Sequence, residues 1–142
     1  MRLYMDSNVL ISILRSEMDR AFNMRFQEAE DFISFCRALG FEIVVSDLFA
    51  YEIKKAISLE REDIGEFFRM SGVSFVWAAV PEKNRVLKIS RDCGIHFADA
   101  AHVSAAVAAG CDAIITWDKK DFSRARAIMP CFTPAEFVQR NP

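Results

Sequence analysis

Short runs of β-branched and aromatic residues recur along the chain, and stretches with helical apolar spacing separate them. This alternation restricts the fold more than any other feature. Leu3-Tyr4-Met5, Ile43-Val44-Val45, Val73 to Trp77 and Ala113 to Trp117 read as strands, with a further short run at Cys131-Phe132-Thr133. Ser7 to Leu14 reads as a helix with Asp6 or Ser7 as its N-cap. About Met18 to Leu39 carries apolar residues at Phe22, Phe26, Ala29, Phe32, Ile33, Cys36 and Leu39, and Gly40 is a natural stop. Ser46 caps a helix with Leu48, Phe49, Ile53, Ala56 and Ile57 on its apolar side, and Leu59 to Met70 predicts another with Ile64, Phe67 and Phe68 inward. Pro81 opens a helix to about Asp92, an alanine-rich helix runs from Asp99 to Ala109, and a short one spans about Phe122 to Ile128. Pro134 starts a terminal helix. Strands and helices alternating at this spacing imply right-handed crossovers and a mainly parallel sheet covered on both faces. The predicted fold class is α/β.

A chain of 142 residues fits one domain, 1–142, and 52% apolar content with thirteen phenylalanines can fill its core. A formal charge of -2 gives no broad attraction for a polyanion, which argues against neutralising a long duplex. Cys36, Cys93, Cys111 and Cys131 form no C-x-x-C pair and read as small hydrophobes in a reducing compartment. The N-terminus carries an acid at position 6 and lacks a sustained apolar run, and Ala100 to Cys111 is too short to span a bilayer. The expected location is the cytoplasm, with no membrane partner.

Four acids stand at the landmarks of this alternation. Asp6 follows the first strand, Glu52 lies in the helix after Ile43-Val44-Val45, Asp99 stands at the start of the alanine-rich helix, and Asp118 ends the run Ala113 to Trp117. In an open α/β sheet the carboxyl ends of the strands meet in one crevice, so acids far apart in the chain converge there. Carboxylates about 5 Å apart repel by roughly 3 kcal/mol per pair at an effective dielectric of about 20. Such a cluster persists by holding protons or by gathering hard divalent cations. Taken singly, Asp6 and Asp99 have a commoner use as helix caps, Glu52 as a solvated helix residue and Asp118 as a turn. Together, behind apolar strands, they point to one site.

Tyr4-Met5-Asp6-Ser7-Asn8, Ser46 through Ile53, Gly94-Ile95-His96-Phe97-Ala98-Asp99-Ala100-Ala101-His102, and Gly110 through Asp118 with Asp121-Phe122 resemble, in order, the four motifs of the PIN-domain nucleases. Thr133-Pro134-Ala135-Glu136-Phe137 is similar to the family's closing segment, so the resemblance runs over essentially the whole length. It implies a PIN-like three-layer α/β/α sandwich with a central, mainly parallel sheet of about five strands. It implies that Asp6, Glu52, Asp99 and Asp118 are the metal-binding and catalytic carboxylates of a Mg²⁺- or Mn²⁺-dependent ribonuclease. Two ions roughly 4 Å apart would serve the attacking water and the departing 3′ oxygen, leaving a 5′-phosphate and a 3′-hydroxyl. As a short stand-alone chain it resembles the VapC-type toxin branch, which implies a homodimer and a cognate antitoxin protein. The helices around Leu48–Ile57 and Ile64–Phe68 are the expected self-association surface.

Around the four acids, Thr116 is placed to orient a carboxylate, and Asn8 to hold Asp6 or a metal-bound water. Asp121 is a further candidate for aiding the metal site. Most basic residues read as solvated helix faces; Lys119 and Lys120, directly after Asp118, are candidates for phosphate contact. Trp117 reads as core, and His96 and His102 as satisfied or surface imidazoles. The alternative to a nuclease is a catalytically silent PIN module that binds RNA or a protein. A dinucleotide-binding domain is excluded because Gly-x-Gly-x-x-Gly is absent.

Overall fold

The computed structural model describes residues 1–17 and 24–141. Its elements are β1 (Arg2–Met5), α1 (Ser7–Leu14), α2 (Arg25–Leu39), β2 (Glu42–Val45), α3 (Asp47–Ile57), α4 (Arg61–Ser71), β3 (Ser74–Trp77), α5 (Lys83–Cys93), α6 (Phe97–Ala108), β4 (Ala113–Ile115), α7 (Lys119–Phe122) with a 3₁₀ turn at Ser123–Ala125, β5 (Cys131–Phe132) and α8 (Pro134–Arg140). The five strands form one wholly parallel sheet in the order β3-β2-β1-β4-β5.

Alternate strand residues feed two apolar layers. Leu3, Met5, Ile43, Val45, Ala113 and Ile115 face Val9, Leu10, Phe32, Phe49, Ile53, Phe68 and Phe137 from the helices on one side. Tyr4, Val44 and Ile114 face Val103, Ala106, Phe122 and Met129 on the other. With both faces covered, the strands can be apolar at every position, as expected of parallel sheets. Among the described residues no helix is long and apolar enough to cross a membrane.

The chain winds outward from β1 through β2 to β3, then returns to place β4 on the opposite side of β1. This reversal opens a crevice at the carboxyl ends of β1 and β4, where α/β sheets bind ligands. The register Met5↔Ile115 sets Asp6 level with Thr116.

Some boundaries differ from expectation. The first part of the expected helix from Met18 falls on residues 18–23, outside the described residues, and α2 starts at Arg25. Gly40 does end it, in the left-handed region at φ +69°, where its lack of a Cβ removes the strain. Pro81 stands before α5, whose N-cap is Glu82. The α6 helix begins at Phe97 with His96 as N-cap, so Asp99 lies inside its first turn rather than capping it. The short helix expected over Phe122–Ile128 is instead α7 with its 3₁₀ turn, three residues earlier.

The expected self-association surface at Ile64–Phe68 needs correction. Phe68 and Ile64 are fully buried, and Phe68 stacks on Phe75 of the edge strand at a centroid distance of 5.1 Å. Ile64 and Phe68 are therefore spent in covering β3, and of the three apolar residues expected there only the half-buried Phe67 still reaches the surface.

Candidate metal centre

Asp6 sits at the point where β1 hands over to α1. Its backbone N–H continues the ladder to the Ile115 carbonyl at 3.0 Å. Although it occupies the N-cap position of α1, its side chain makes no cap bond. The Asp6 carboxylate instead turns into the crevice, where Oδ2 accepts the buried Thr116 hydroxyl at 2.8 Å. The other oxygen, Oδ1, has only a long contact of 3.5 Å from Ser7. Asp6 is 7% exposed, and this burial raises its pKa; Glu52 adds to the rise, while His102 and the Thr116 hydrogen bond oppose it.

Glu52 approaches from α3, whose start is fixed by Ser46: its hydroxyl accepts the Phe49 N–H at 3.2 Å. The Glu52 carboxylate meets the His102 ring, with Oε1 2.7 Å from Nε2. The same Nε2 lies 3.9 Å from Asp6 Oδ1. On the far side of the imidazole, Nδ1 is 2.6 Å from the Tyr4 hydroxyl, itself 2.6 Å from Ser46 Oγ. A buried line Ser46–Tyr4–His102–Glu52 therefore crosses from β2 through β1 and α6 to α3. With His102 neutral, Ser46 donates to Tyr4, Tyr4 donates to Nδ1, and Nε2–H donates to Glu52. Burial opposes charge on His102. The hydrogen bond to Glu52 and the charges of Asp6, Glu52 and Asp99 outweigh it and raise the imidazole pKa.

Asp118 follows β4 and is tied to Asp6 through intermediaries. The Asn8 amide donates to Asp118 Oδ2 at 3.1 Å and to Thr116 Oγ1 at 3.2 Å. Thr116 Oγ1 also accepts the Asp118 N–H at 3.0 Å, so this hydroxyl uses its one donor and both acceptor positions. Asp99 stands one helical turn before His102 on α6. Burial raises its pKa, followed by the charges of Asp121 and Asp6. All four acids predicted from the sequence are thus gathered at the carboxyl end of the sheet. Asp6 and Glu52 are in direct juxtaposition; Asp118 is linked by hydrogen bonds and Asp99 by charge.

Thr116 orients a carboxylate as expected. Asn8 does not hold Asp6; its amide is taken up by Asp118 and Thr116, and its carbonyl accepts the Trp117 N–H at 3.3 Å. Trp117 packs against the core, with Nε1–H on Ser12 Oγ at 3.1 Å. Lys119 turns away from the acids to Glu136, 2.9 Å distant. Asp121 faces Asp99 across a depression that both residues line with His96 and Lys120. The residue that sequence reasoning undervalued is His102. It is a satisfied imidazole, as expected, but the group satisfying it is a carboxylate of the site. Its spacing of three from Asp99 was the available signal.

Asp6, Glu52 and His102 each offer a ligand atom, and the three atoms lie within 4.8 Å of one another. Two carboxylates suit a hard divalent cation, and imidazole suits the manganese end of that group better than magnesium. The Asp6 Oδ1 is buried and has only the long 3.5 Å contact from Ser7, so it is the Asp6 oxygen with capacity left to coordinate a cation.

No curated protein matches the chain. Among solved structures it is similar to PAE2754 from Pyrobaculum aerophilum, with 15% identity, a TM-score of 0.57, and coverage of 99% of this chain and 88% of that one. It is also similar to a toxin-antitoxin complex from Klebsiella pneumoniae, with 17% identity, a TM-score of 0.60, and coverage of 94% and 98%. At such identities the likeness concerns the fold. The PIN domain family model matches residues 2–120, a span that includes Asp6, Glu52, Asp99 and Asp118. The chain belongs to the PIN domain family.

Proposed function

We propose that the chain is a Mg²⁺- or Mn²⁺-dependent endoribonuclease, the toxin of a toxin-antitoxin pair acting in the cytoplasm. The observation that carries this reading is the meeting of Asp6, Glu52 and His102 within 4.8 Å at the β1–β4 crevice. PIN domains are generally nucleases that use divalent metal ions. The toxin-antitoxin complex among the similar structures favours a cognate antitoxin as partner. A homodimer remains part of the proposal, with a surface other than Ile64–Phe68.

Asp6, Glu52, Asp99 and Asp118 would hold the ions. A bound divalent ion supplies a Lewis acid that makes water a better nucleophile near neutral pH and neutralises charge on the phosphoryl group. The protein's own contribution is positioning. Thr116 fixes the rotamer of Asp6, Asn8 fixes Asp118, and the Tyr4–His102 pair fixes Glu52. Asp6 is walled off from bulk water, while Asp118 is exposed and Asp99 half-exposed. The open side of the site is therefore the side on which a phosphodiester can lie.

Purified protein incubated with end-labelled RNA in Mn²⁺ should give fragments with 5′-phosphate and 3′-hydroxyl ends. EDTA and Asp6→Asn should each abolish them. Cleavage that persists in EDTA or in the Asp6→Asn protein overturns the proposal.

A further inference from the structure

We propose that the cleft beside β5 is a subsite for a single-stranded nucleotide flanking the one at the acidic centre, with its phosphate among Lys120 and Arg126 and its base against Arg140 and Phe132. The inference rests on the reading of the chain as a ribonuclease and adds where the strand runs. The cleft measures ≈ 490 Å³ and is lined by Lys119, Lys120, Ser123, Arg126, Phe132 and Arg140, among others. That volume falls within the range of sites that bind small organic molecules.

Its charge runs against the rest of the molecule. Over the whole chain acids outnumber bases, for a net charge of -2, yet four cations and, among the described residues, no carboxylate line this cleft; Asp99 and Asp121 lie in the adjoining depression, and the acid beside Lys119 is Glu136. That carboxylate is paired with Lys119 at 2.9 Å. Among the described residues Lys120, Arg126 and Arg140 make no ion pair. Cations held together without counter-charge repel one another, and an anionic ligand relieves that cost.

The cleft also has a surface for a base. The Arg140 guanidinium lies over the Phe132 ring at 5.0 Å from its centroid, which makes a planar, cationic platform. Unpaired bases stack on guanidinium planes and aromatic rings without regard to sequence. An acidic peptide would satisfy the cations but has no use for this platform, so nucleic acid is the better occupant.

Location links the cleft to the acids. Lys119 and Lys120 follow Asp118 directly, and Lys120 and Ser123 line both this cleft and the adjoining depression of ≈ 330 Å³ that contains Asp99 and Asp121. Arg124, held at the rim by the Gly94 carbonyl at 3.1 Å, continues the basic border. A strand leaving the carboxylates on this side passes from acids to bases without crossing another element.

The test is binding, separate from cleavage. A fluorescein-labelled ten-nucleotide oligouridine is titrated with the protein in EDTA, and anisotropy is read over a series of salt concentrations. Arg126→Glu and Arg140→Glu should each weaken binding by about tenfold or more, and Arg126→Glu should also flatten the salt dependence, by about 0.7 in log–log slope for the phosphate left without its cation. Arg126→Gln, which guards against misfolding of the charge-reversed chain, should weaken it less and flatten it equally. Arg69→Glu on α4, the same charge change far from the cleft, should leave binding as it is. The subsite is refuted if the Arg126 and Arg140 variants bind like Arg69→Glu with unchanged melting temperature, or if polyglutamate displaces the oligonucleotide as well as unlabelled RNA does. RNA binding that depends on Arg126 in a protein that never cleaves sinks the nuclease reading alone. Cleavage with binding indifferent to Arg126 sinks the subsite alone.

Discussion

Thr116→Val removes one oxygen at nearly constant volume from a side chain that is completely buried, and the structure sets the size of the effect. The hydroxyl donates to the Asp6 carboxylate at 2.8 Å and accepts from Asn8 at 3.2 Å and from the Asp118 N–H at 3.0 Å. A hydrogen bond to a charged group contributes about 1.5–3 kcal/mol, and an orphaned donor adds about 1 kcal/mol more. Asn8 keeps its second partner, Asp118, so the variant should be less stable by about 2–4 kcal/mol. For a chain of this size that lowers the melting temperature by about 6–12 °C. Thr116→Ser keeps the oxygen and removes one methyl, at about 1 kcal/mol. The pH dependence has a definite sign. Burial raises the pKa of Asp6, so its ionisation costs stability as pH rises, and the Thr116 bond limits that cost by favouring the charged form. The deficit of the valine variant is therefore full above the range where folded Asp6 titrates and shrinks as pH falls through that range. Urea titrations at pH 7 and in the acid range would measure it. Calorimetric titration with Mn²⁺ adds an independent reading, since removing an orienting partner weakens metal affinity by about 10–100-fold. Valine within about 0.5 kcal/mol of threonine at pH 7, or a gap that ignores pH, would refute the reasoning.

Three further outcomes are expected. Phe68→Ala should cost about 3–5 kcal/mol in urea unfolding, because the ring is fully buried against Phe67 and Phe75 and leaves a cavity. Thr133→Ala should cost about 1 kcal/mol by breaking the reciprocal capping box with Glu136 at the start of α8, and Thr133→Ser should restore most of it. Tyr4→Phe leaves Ser46 and His102 without their shared hydroxyl, so it should cost about 1–2 kcal/mol and shift the His102 ring resonances in NMR.

The strands were legible because each is a run of residues that suits a sheet buried on both faces, and two of the four acids, Asp6 and Asp118, follow such runs. Asp6 and Asp118 could be expected side by side once β1 and β4 were neighbours. What the pattern could not carry was direction. The helical spacing of Ile64, Phe67 and Phe68 shows an apolar face but not what covers it, and it is β3 that does so. Asn8 was expected on Asp6 or a metal-bound water; its amide donates instead to Asp118 and to Thr116, so it reaches Asp6 only through the Thr116 hydroxyl. His102 sits in an alanine-rich helix where a lone imidazole reads as filler. Its meaning comes from Tyr4 and Glu52, separated from it by 98 and 50 positions, and only the folded topology brings those together.

Of the five strands, the first to leave the ribosome is the middle strand of the finished sheet, and its partner on one side is more than a hundred residues downstream. A nascent chain halted anywhere before Thr116 has Asp6 but neither the hydroxyl that steadies it nor the neighbour that completes the crevice. Such far-apart pairings are slow to close. Translation must therefore have delivered most of the polypeptide before the acids can assemble, and a prematurely terminated product lacks the site altogether.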